Sequence, residues 1–199
     1  MQIALPKDAR VIILEGIAGS GKTTLKGYLK KHLKSHAYYE FTEQELLLGW
    51  KHIHVPHMSA LRLKFIQLFL DDLERKLKAK PEALFILERF HLSIKVLEWE
   101  FEGSFAAEYE TIVQRLKQLP VHILIAELDR EQIRERMHHR ERSWQWREFV
   151  EEKLTLRGYQ DLETLSIEQQ KAFFDAASEQ GIPFSAIKVE LEKNRSLSS

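Results

Sequence analysis

The fold of this chain is decided by residues 16–23, which read GIAGSGKT and match the pattern G-x-x-x-x-G-K-[ST] at every fixed position. Glycines in such a loop let the backbone curl so that successive N–H groups point at phosphate oxygens. Residues 11–14 form a short β-branched run that predicts a buried strand, and residues 22–34 carry leucines four apart, which predicts an amphipathic helix. A strand, this loop and a helix in succession are the setting in which the pattern binds nucleotide phosphates.

The chemistry of the loop residues predicts their roles. We expect a nucleotide to be bound by Gly16, Ala18, Gly19, Ser20, Gly21, Lys22, Thr23 and Thr24. Lys22 is expected to supply positive charge to the β- and γ-phosphates, and the Thr23 hydroxyl is a ligand for Mg²⁺. The implied cofactors are therefore ATP and Mg²⁺.

Four more apolar runs, at residues 36–41, 83–87, 121–126 and 184–189, alternate with helical patterns at 58–78, 105–119, 130–139, 146–157 and 167–180. This alternation predicts an α/β fold with a five-stranded parallel sheet and helices on both faces. We expect one domain over residues 1–193, with a lid at about 130–147 and a frayed tail at 194–199. The helix over 58–78 is predicted to face the core with Leu61, Phe65, Leu68, Phe69, Leu73 and Leu77.

Composition excludes several classes of protein. The 199 residues contain 30 basic and 30 acidic side chains, so the formal net charge is zero, which argues against nucleic-acid binding through a general positive field. The absence of cysteine excludes disulfides and thiolate sites. No run approaches the ~20 apolar residues that span a bilayer, and residues 1–10 do not resemble a signal peptide. We therefore expect a soluble cytoplasmic protein with neither nucleic acid nor membrane as a partner.

A second candidate site follows the predicted third strand, which ends in Glu88 and Arg89. In parallel sheets, ligands bind at the carboxyl ends of the strands. Glu88 is therefore placed to hold Mg²⁺ together with Thr23, and Arg89 to neutralise a phosphoryl group during transfer. The alternative is an ordinary exposed Glu-Arg pair where a strand runs into a loop.

Arginines are concentrated after the fourth strand. Across residues 134–147 there are five arginines and two glutamates, a local charge of 5 − 2 = +3. We expect Arg136, Arg140 and Arg142 to contact the transferring phosphoryl group from a mobile lid. The alternative is a solvated helix in which these arginines pair with interspersed glutamates.

Together these motifs resemble those of the deoxynucleoside kinase and thymidylate kinase group. The resemblance rests on Glu15-Gly16 leading into the loop, on Glu88-Arg89-x-x-x-Ser93, and on Arg136-x-x-x-Arg140-x-Arg142. It implies a P-loop kinase that transfers the γ-phosphoryl group of ATP to a nucleoside or nucleoside monophosphate. It also implies a homodimer packed through long helices. The alternatives are a P-loop kinase for a non-nucleoside acceptor and a nucleotide-dependent regulatory or binding protein with little turnover.

The acceptor side departs from the group's pattern. The group has a glutamate in E-P-x-x-x-W as the base for the sugar 5′-hydroxyl, whereas this chain lacks that proline and has Trp50 two residues farther on. Glu43 is the first choice for the base and Glu40 the second, and both are otherwise solvated loop residues. Gln67 is a weaker candidate for reading a base. The imidazoles of His52, His54 and His57 could bind a metal, but a polar loop is the favoured interpretation.

Overall fold

A computed structural model describes residues 3, 5–33, 38–42, 45–46, 58–97, 105–137, 151, 154–155 and 158–189. The strands are β1 (Val11–Glu15), β2 (Tyr38–Phe41), β3 (Leu84–Glu88), β4 (Val121–Glu127) and β5 (Phe184–Lys188). The helices are α1 (Lys22–His32), α2 (Met58–Ala79), α3 (His91–Leu97), α4 (Ala106–Lys117), α5 (Arg130–Met137) and α6 (Leu162–Gln180).

The five strands form one parallel sheet in the order β2-β3-β1-β4-β5. The central strand β1 is buried along its whole length and pairs with β3, where Leu14 lies opposite Glu88, and with β4, where Glu15 lies opposite Ile125. Strand β2 forms one edge beside β3. Because all strands are parallel, their carboxyl ends meet at one edge, which carries the phosphate loop, the end of β2 and the end of β3.

Helices cover both faces of the sheet, which gives three layers. On one face, Ile12 and Leu14 pack with Leu25 and Leu29 of α1. On the other face, a larger core joins the alternate strand residues to buried positions of α2, α3, α4 and α6. The alternation along each strand divides its side chains between two cores, as expected for a sheet buried on both faces. The predicted α/β fold with a five-stranded parallel sheet is confirmed.

Several element boundaries differ from the sequence predictions for identifiable reasons. Helix α6 begins at Leu162 rather than Ile167, because the Asp161 side chain accepts a hydrogen bond from the Thr164 N–H at 2.7 Å and caps the helix. Helix α3 was not predicted, since its seven residues span only two turns and give too short a pattern for periodicity to indicate a helix. The predicted helix over 146–157 and the tail at 194–199 lie mainly or wholly outside the described residues.

The predicted core face of α2 was wrong at two positions. Leu61 is 43% exposed and Leu68 is 68% exposed, whereas the buried residues include Leu63, Ile66 and Leu70. Apolar residues occur on more than one side of this helix, so periodicity alone could not select the buried side. Within the described part of the chain, no helix is both long enough and apolar enough to span a bilayer.

Candidate active site

The phosphate loop connects β1 to α1 and has the backbone that its glycines permit. Gly16, Gly19 and Gly21 have φ values of 131°, 74° and 89°, all in the region that favours glycine. Gly16 has a second constraint, because a Cβ at this position would lie 2.7 Å from the carbonyl oxygen of Ala126 in β4. The loop is therefore pressed against the neighbouring strand, and its first glycine is required for both conformation and space.

Lys22 is buried, and its side chain curls back into the loop. The Nζ atom donates to the carbonyl oxygens of Gly16 at 3.0 Å and Ile17 at 2.7 Å, and lies 3.5 Å from the Ser20 Oγ atom. Ser20 is also fully buried, while Thr23 and Thr24 are exposed at the start of α1. The loop therefore encloses the ammonium group that we expect to contact phosphates.

Glu88 ends β3 and reaches the phosphate loop directly. Its Oε1 atom accepts a hydrogen bond from the Thr23 hydroxyl at 3.1 Å, and its Oε2 atom accepts one from Lys26 Nζ at 2.6 Å. The Glu88 side chain is 13% exposed. The structure thus brings together the two predicted metal ligands, and adds a lysine of α1 that the sequence analysis did not single out.

These two oxygens suit a magnesium ion. Mg²⁺ prefers oxygen ligands at about 2.0–2.1 Å in octahedral geometry, which places neighbouring ligands about 2.9 Å apart. The separation between Thr23 Oγ1 and Glu88 Oε1, 3.1 Å, is close to that value. In the part of the chain that the structure describes, no group of three or more His, Asp or Glu side chains could hold a metal, so the remaining ligands would be phosphate oxygens and water.

Arg89 follows Glu88 in a strained backbone conformation. Its φ is 62°, the only positive value for a non-glycine residue in the described chain. The side chain is 4% exposed, and Nη1 lies 3.4 Å from the Gly16 carbonyl oxygen and 3.3 Å from the Ser93 hydroxyl. The turn at Arg89 directs the chain from β3 into α3 and places the guanidinium beside the first residue of the phosphate loop.

Glu15, at the end of β1, holds the segment after Arg89. Its carboxylate is fully buried and accepts hydrogen bonds from the N–H of Phe90 at 2.8 Å, the N–H of Ser93 at 3.3 Å and the Ser93 hydroxyl. Burial raises the pKa of Glu15. The Ser93 hydroxyl and the positive charge of Arg89 lower this pKa, but the effect of burial is larger. Ser93, the last residue of the predicted motif, thus contacts Glu15 and Arg89.

The next residue of this segment that has a polar side chain, His91, is also buried. Its Nε2 atom lies 2.6 Å from the Gln180 Oε1 atom of α6, an arrangement that assigns the proton to Nε2. Burial lowers the pKa of His91 to about 4, so the ring is neutral at physiological pH. The start of α3 is therefore attached to α6 on one side and, through Glu15, to β1 on the other.

The acceptor side is only partly described. Glu40 on β2 forms ion pairs with Lys26 at 3.1 Å and with Lys30 at 2.7 Å. Lys30 is the main cause of a lowered pKa at Glu40, which makes this carboxylate a weaker base. Glu43, the first choice for the base, lies outside the described residues. The same is true of Trp50 and of the cluster formed by His52, His54 and His57.

Gln67 on α2 is partly buried, and its role as a base reader stays a prediction. The nearby Phe69 packs edge-on between Phe41 of β2 and Phe90, with ring centroids 4.7 and 5.8 Å apart. Phe69 therefore belongs to the core beneath the acceptor side of the sheet.

The arginines of α5 fall into two groups. Arg130 and Arg134 pair with Glu163 of α6 on the surface at 2.9 and 2.8 Å, and Arg134 is the main cause of a Glu163 pKa of about 2. Arg136 points the other way, and its Nη1 atom donates to the Gly19 carbonyl oxygen of the phosphate loop at 2.7 Å. Its Nη2 atom lies 3.4 Å from the carbonyl oxygen of Val189. Arg140 and Arg142 lie outside the described residues.

Sequence reasoning missed two residues of this site. Glu15 appeared only as part of a motif, although its spacing from Val11 and Ile13 puts it in phase with residues of the larger core. A charged residue at a core-facing position at the end of a strand is a usable signal. Lys26 had a weaker signal, its spacing of four residues from Lys22, which says nothing about the carboxylates of β2 and β3.

Comparisons with known proteins identify the fold. No family profile matches the sequence, and no curated protein is significantly similar to it. Among solved structures, the YorR protein of Bacillus subtilis, in complex with phosphorylated GDP, is 16% identical, with 89% of this chain and 85% of that chain covered at a TM-score of 0.51. Thymidylate kinase of Candida albicans is 13% identical, with 92% and 86% covered and the same TM-score. The chain therefore has the three-layer fold of the P-loop kinases that include thymidylate kinase.

Proposed function

We propose that this protein is a phosphotransferase that moves the γ-phosphoryl group of ATP to a nucleoside or nucleoside monophosphate. The observation that carries the proposal is the hydrogen bond between Thr23 of the phosphate loop and Glu88 at the end of β3. It joins two oxygen ligands of the kind that Mg²⁺ requires beside a loop built for polyphosphate. The fold shared with thymidylate kinase supports the same class of reaction by analogy.

In the proposed reaction, the backbone N–H groups of residues 16–23 hold the β- and γ-phosphates, and Lys22 neutralises their charge. Thr23 and Glu88 hold Mg²⁺, which when bound offsets negative charge on the same phosphates. Arg89 lies beside the loop, where its guanidinium stabilises the phosphoryl group in transfer. The bond from the γ-phosphorus to the bridging oxygen breaks, a bond to the acceptor oxygen forms, and ADP leaves.

The acceptor determines the fate of the proton. If the acceptor is a sugar hydroxyl, its proton passes to a carboxylate, for which Glu43 is our first candidate. Glu40 is the weaker candidate, because both of its oxygens are paired with lysines. If the acceptor is a nucleoside monophosphate, its phosphate oxygen is already deprotonated and no base is needed.

We further propose that residues 1–193 act as one kinase domain with a lid at about 130–147. Arg136 supports this, because it already connects α5 to the phosphate loop through Gly19. Arg140 and Arg142 are proposed to contact the phosphoryl group from the same segment. A homodimer remains part of the proposal and is tested by measuring the mass of the protein in solution.

The proposal is tested by measuring ADP release with Mg²⁺, ATP and a panel of nucleosides and nucleoside monophosphates. We expect release to depend on one acceptor class, and Arg89→Lys to lower the rate with little change in ATP affinity. Turnover with non-nucleoside hydroxyl compounds alone would identify a kinase for a different acceptor. Tight ATP binding without turnover on any acceptor would identify a regulatory or binding protein.

A further inference from the structure

Four charged side chains form a continuous row from the phosphate loop to the edge strand β2. Lys26 lies between two carboxylates, 2.6 Å from Glu88 and 3.1 Å from Glu40, and Lys30 lies 2.7 Å from Glu40. Two positive and two negative charges make the row neutral. Its first member, Glu88, is also the carboxylate assigned to Mg²⁺.

The two oxygens of Glu88 both have partners in this arrangement, since Thr23 donates to one and Lys26 to the other. Lys26 is buried, and its ammonium group donates a hydrogen bond to Glu88 at 2.6 Å and lies 3.1 Å from Glu40. Two carboxylates therefore surround this one positive charge. An ammonium at 2.6 Å from a carboxylate neutralises the charge that would attract a metal ion.

We propose that Lys26 is a resident cation that competes with the divalent metal for Glu88, and thereby reduces the dependence of nucleotide binding on metal. This inference rests on the proposed function, because it assumes that polyphosphate binds in the loop next to Glu88. Lys26 acts through Glu88 and is a positioning residue. The second contact, to Glu40, gives the ammonium another carboxylate when a metal occupies Glu88.

The proposal has two opposite consequences for affinity. Without metal, Lys26 cancels the charge of Glu88, so the negative phosphates of the nucleotide meet little repulsion. With metal, the ion must share Glu88 with an ammonium of like charge, so the gain in affinity from the metal is small. Removing the lysine should weaken metal-free nucleotide binding and strengthen metal-dependent binding.

The test compares the affinity of the full chain for a non-hydrolysable ATP analogue in Mg²⁺ and in EDTA, by titration calorimetry. The measured quantity is the dissociation constant in EDTA divided by the dissociation constant in Mg²⁺. We expect this ratio to rise roughly tenfold in Lys26→Met, the order expected for removing one charge next to a divalent ion. Lys26→Arg keeps the charge and should keep the wild-type ratio.

Lys30→Met is the matched control. It removes the same charge from the same helix one turn farther on, and Lys30 pairs with Glu40 rather than Glu88. The ratio should therefore stay at its wild-type value. An unchanged ratio in Lys26→Met, or an equal rise in Lys30→Met, would overturn the proposal, because the effect would then be absent or would belong to net charge. Thermal melts of each variant confirm that it is folded.

A second arm needs no nucleotide. Mn²⁺ bound to the protein alone is measured by electron paramagnetic resonance, and Lys26→Met should raise its affinity roughly tenfold. The gain should vanish in Lys26→Met/Glu88→Gln, because the competition takes place at Glu88. A gain that persists without Glu88, or no gain at all, contradicts the inference. If the nucleotide analogue does not bind the wild type, the proposed function fails, and the Mn²⁺ titration still decides the role of Lys26.

Discussion

The ends of β1 and β3 carry the same side chain at the same edge of the sheet, in very different surroundings. Glu15 is fully buried, and two of its three hydrogen bonds come from backbone N–H groups. Glu88 is partly exposed, and both of its partners are side chains, Thr23 and Lys26. A carboxylate held by backbone fixes the chain around it, whereas one held by side chains can exchange partners with an incoming ligand. The first is suited to structure and the second to chemistry.

Removing the carboxylate of β1 should give the largest effect on stability. Glu15→Ala removes the acceptor of the Phe90 and Ser93 N–H groups, together with a negative charge that faces the buried Arg89. We expect a loss of about 3–5 kcal/mol in the free energy of unfolding. This loss is measured by urea denaturation. Glu15→Gln keeps the volume and one acceptor, so its free energy of unfolding should fall less. A loss as small as that of a surface substitution would mean that Glu15 is not a structural carboxylate.

Gly16, the residue after Glu15, can be compared with Gly27 of α1. Substitution by alanine should destabilise the protein at Gly16 and stabilise it at Gly27. Gly16→Ala puts a Cβ 2.7 Å from the Ala126 carbonyl oxygen at a φ of 131°, and we expect a loss of about 1–3 kcal/mol from this strain. Gly27→Ala in α1 has no atom within 4 Å of the added Cβ, and should gain about 0.5–1 kcal/mol from helix propensity. Both are measured by urea denaturation. Equal effects of the two substitutions would show that the loop is not pressed against β4.

Substitution of Glu88, the carboxylate of β3, should have the reverse effect, with a large loss of activity and a small loss of stability. Glu88→Gln removes the charge assigned to Mg²⁺ and should leave the fold largely intact, because glutamine keeps the volume and one acceptor and Lys26 keeps its ion pair with Glu40. We expect ADP release to fall about 100-fold, a loss typical of one electrostatic group in a transition state. The melting temperature should move far less than in Glu15→Ala. Full turnover in Glu88→Gln would remove Glu88 from the proposed mechanism.

His91, in the buried segment that Glu15 holds, should also affect how the stability of the protein depends on pH. The pKa of His91 is about 4 in the folded protein against 6.5 ordinarily, so the unfolded chain binds a proton that the folded chain excludes between these values. The contribution of His91 to stability should therefore fall as pH falls through this window, by up to about 1.4 kcal/mol per pH unit. His122, whose pKa burial also lowers, adds to the same trend.

The measurement is urea denaturation of the wild type and of His91→Asn from neutral pH down to pH 5. We expect a shallower slope in the variant, since it lacks one of the two imidazoles whose pKa is lowered among the residues that the structure describes. Identical slopes would show that His91 takes up its proton without unfolding the segment that Glu15 holds.

The sequence alone predicts the parts of the candidate site that depend on local pattern. Gly16, Lys22 and Thr23 were predicted from spacing, because the loop conformation is a property of consecutive residues. Glu88 and Arg89 followed from their position at the end of a strand. Thr23 and Glu88 were predicted to share a magnesium ion because ligands bind at the carboxyl ends of parallel strands, and the strand order explains their contact, since β1 and β3 are neighbours.

The remaining contacts depend on where each helix lies on the sheet and how it is rotated about its own axis. A single sequence does not specify either. Lys26 reaches two carboxylates because α1 packs against β3, which lies next to β2 in the sheet. Leu68 was placed in the core because α2 has apolar residues on several sides, and only packing selects among them. Arg134 and Arg136 are two residues apart and point to different partners, Glu163 and the phosphate loop.

The close approach of Gly21 to Val189 has a consequence for biosynthesis. A Cβ on Gly21 would lie 2.7 Å from the Val189 side chain, which is buried with Ile12, Leu14 and Leu25 just after β5. In the sequence, Gly21 of the loop precedes Val189, which packs against it, by 189 − 21 = 168 positions. On the ribosome, the early segment must wait for β5 to emerge before its packing is complete. A nascent chain arrested before Val189 therefore lacks this contact with the phosphate loop, however well its first strands have formed.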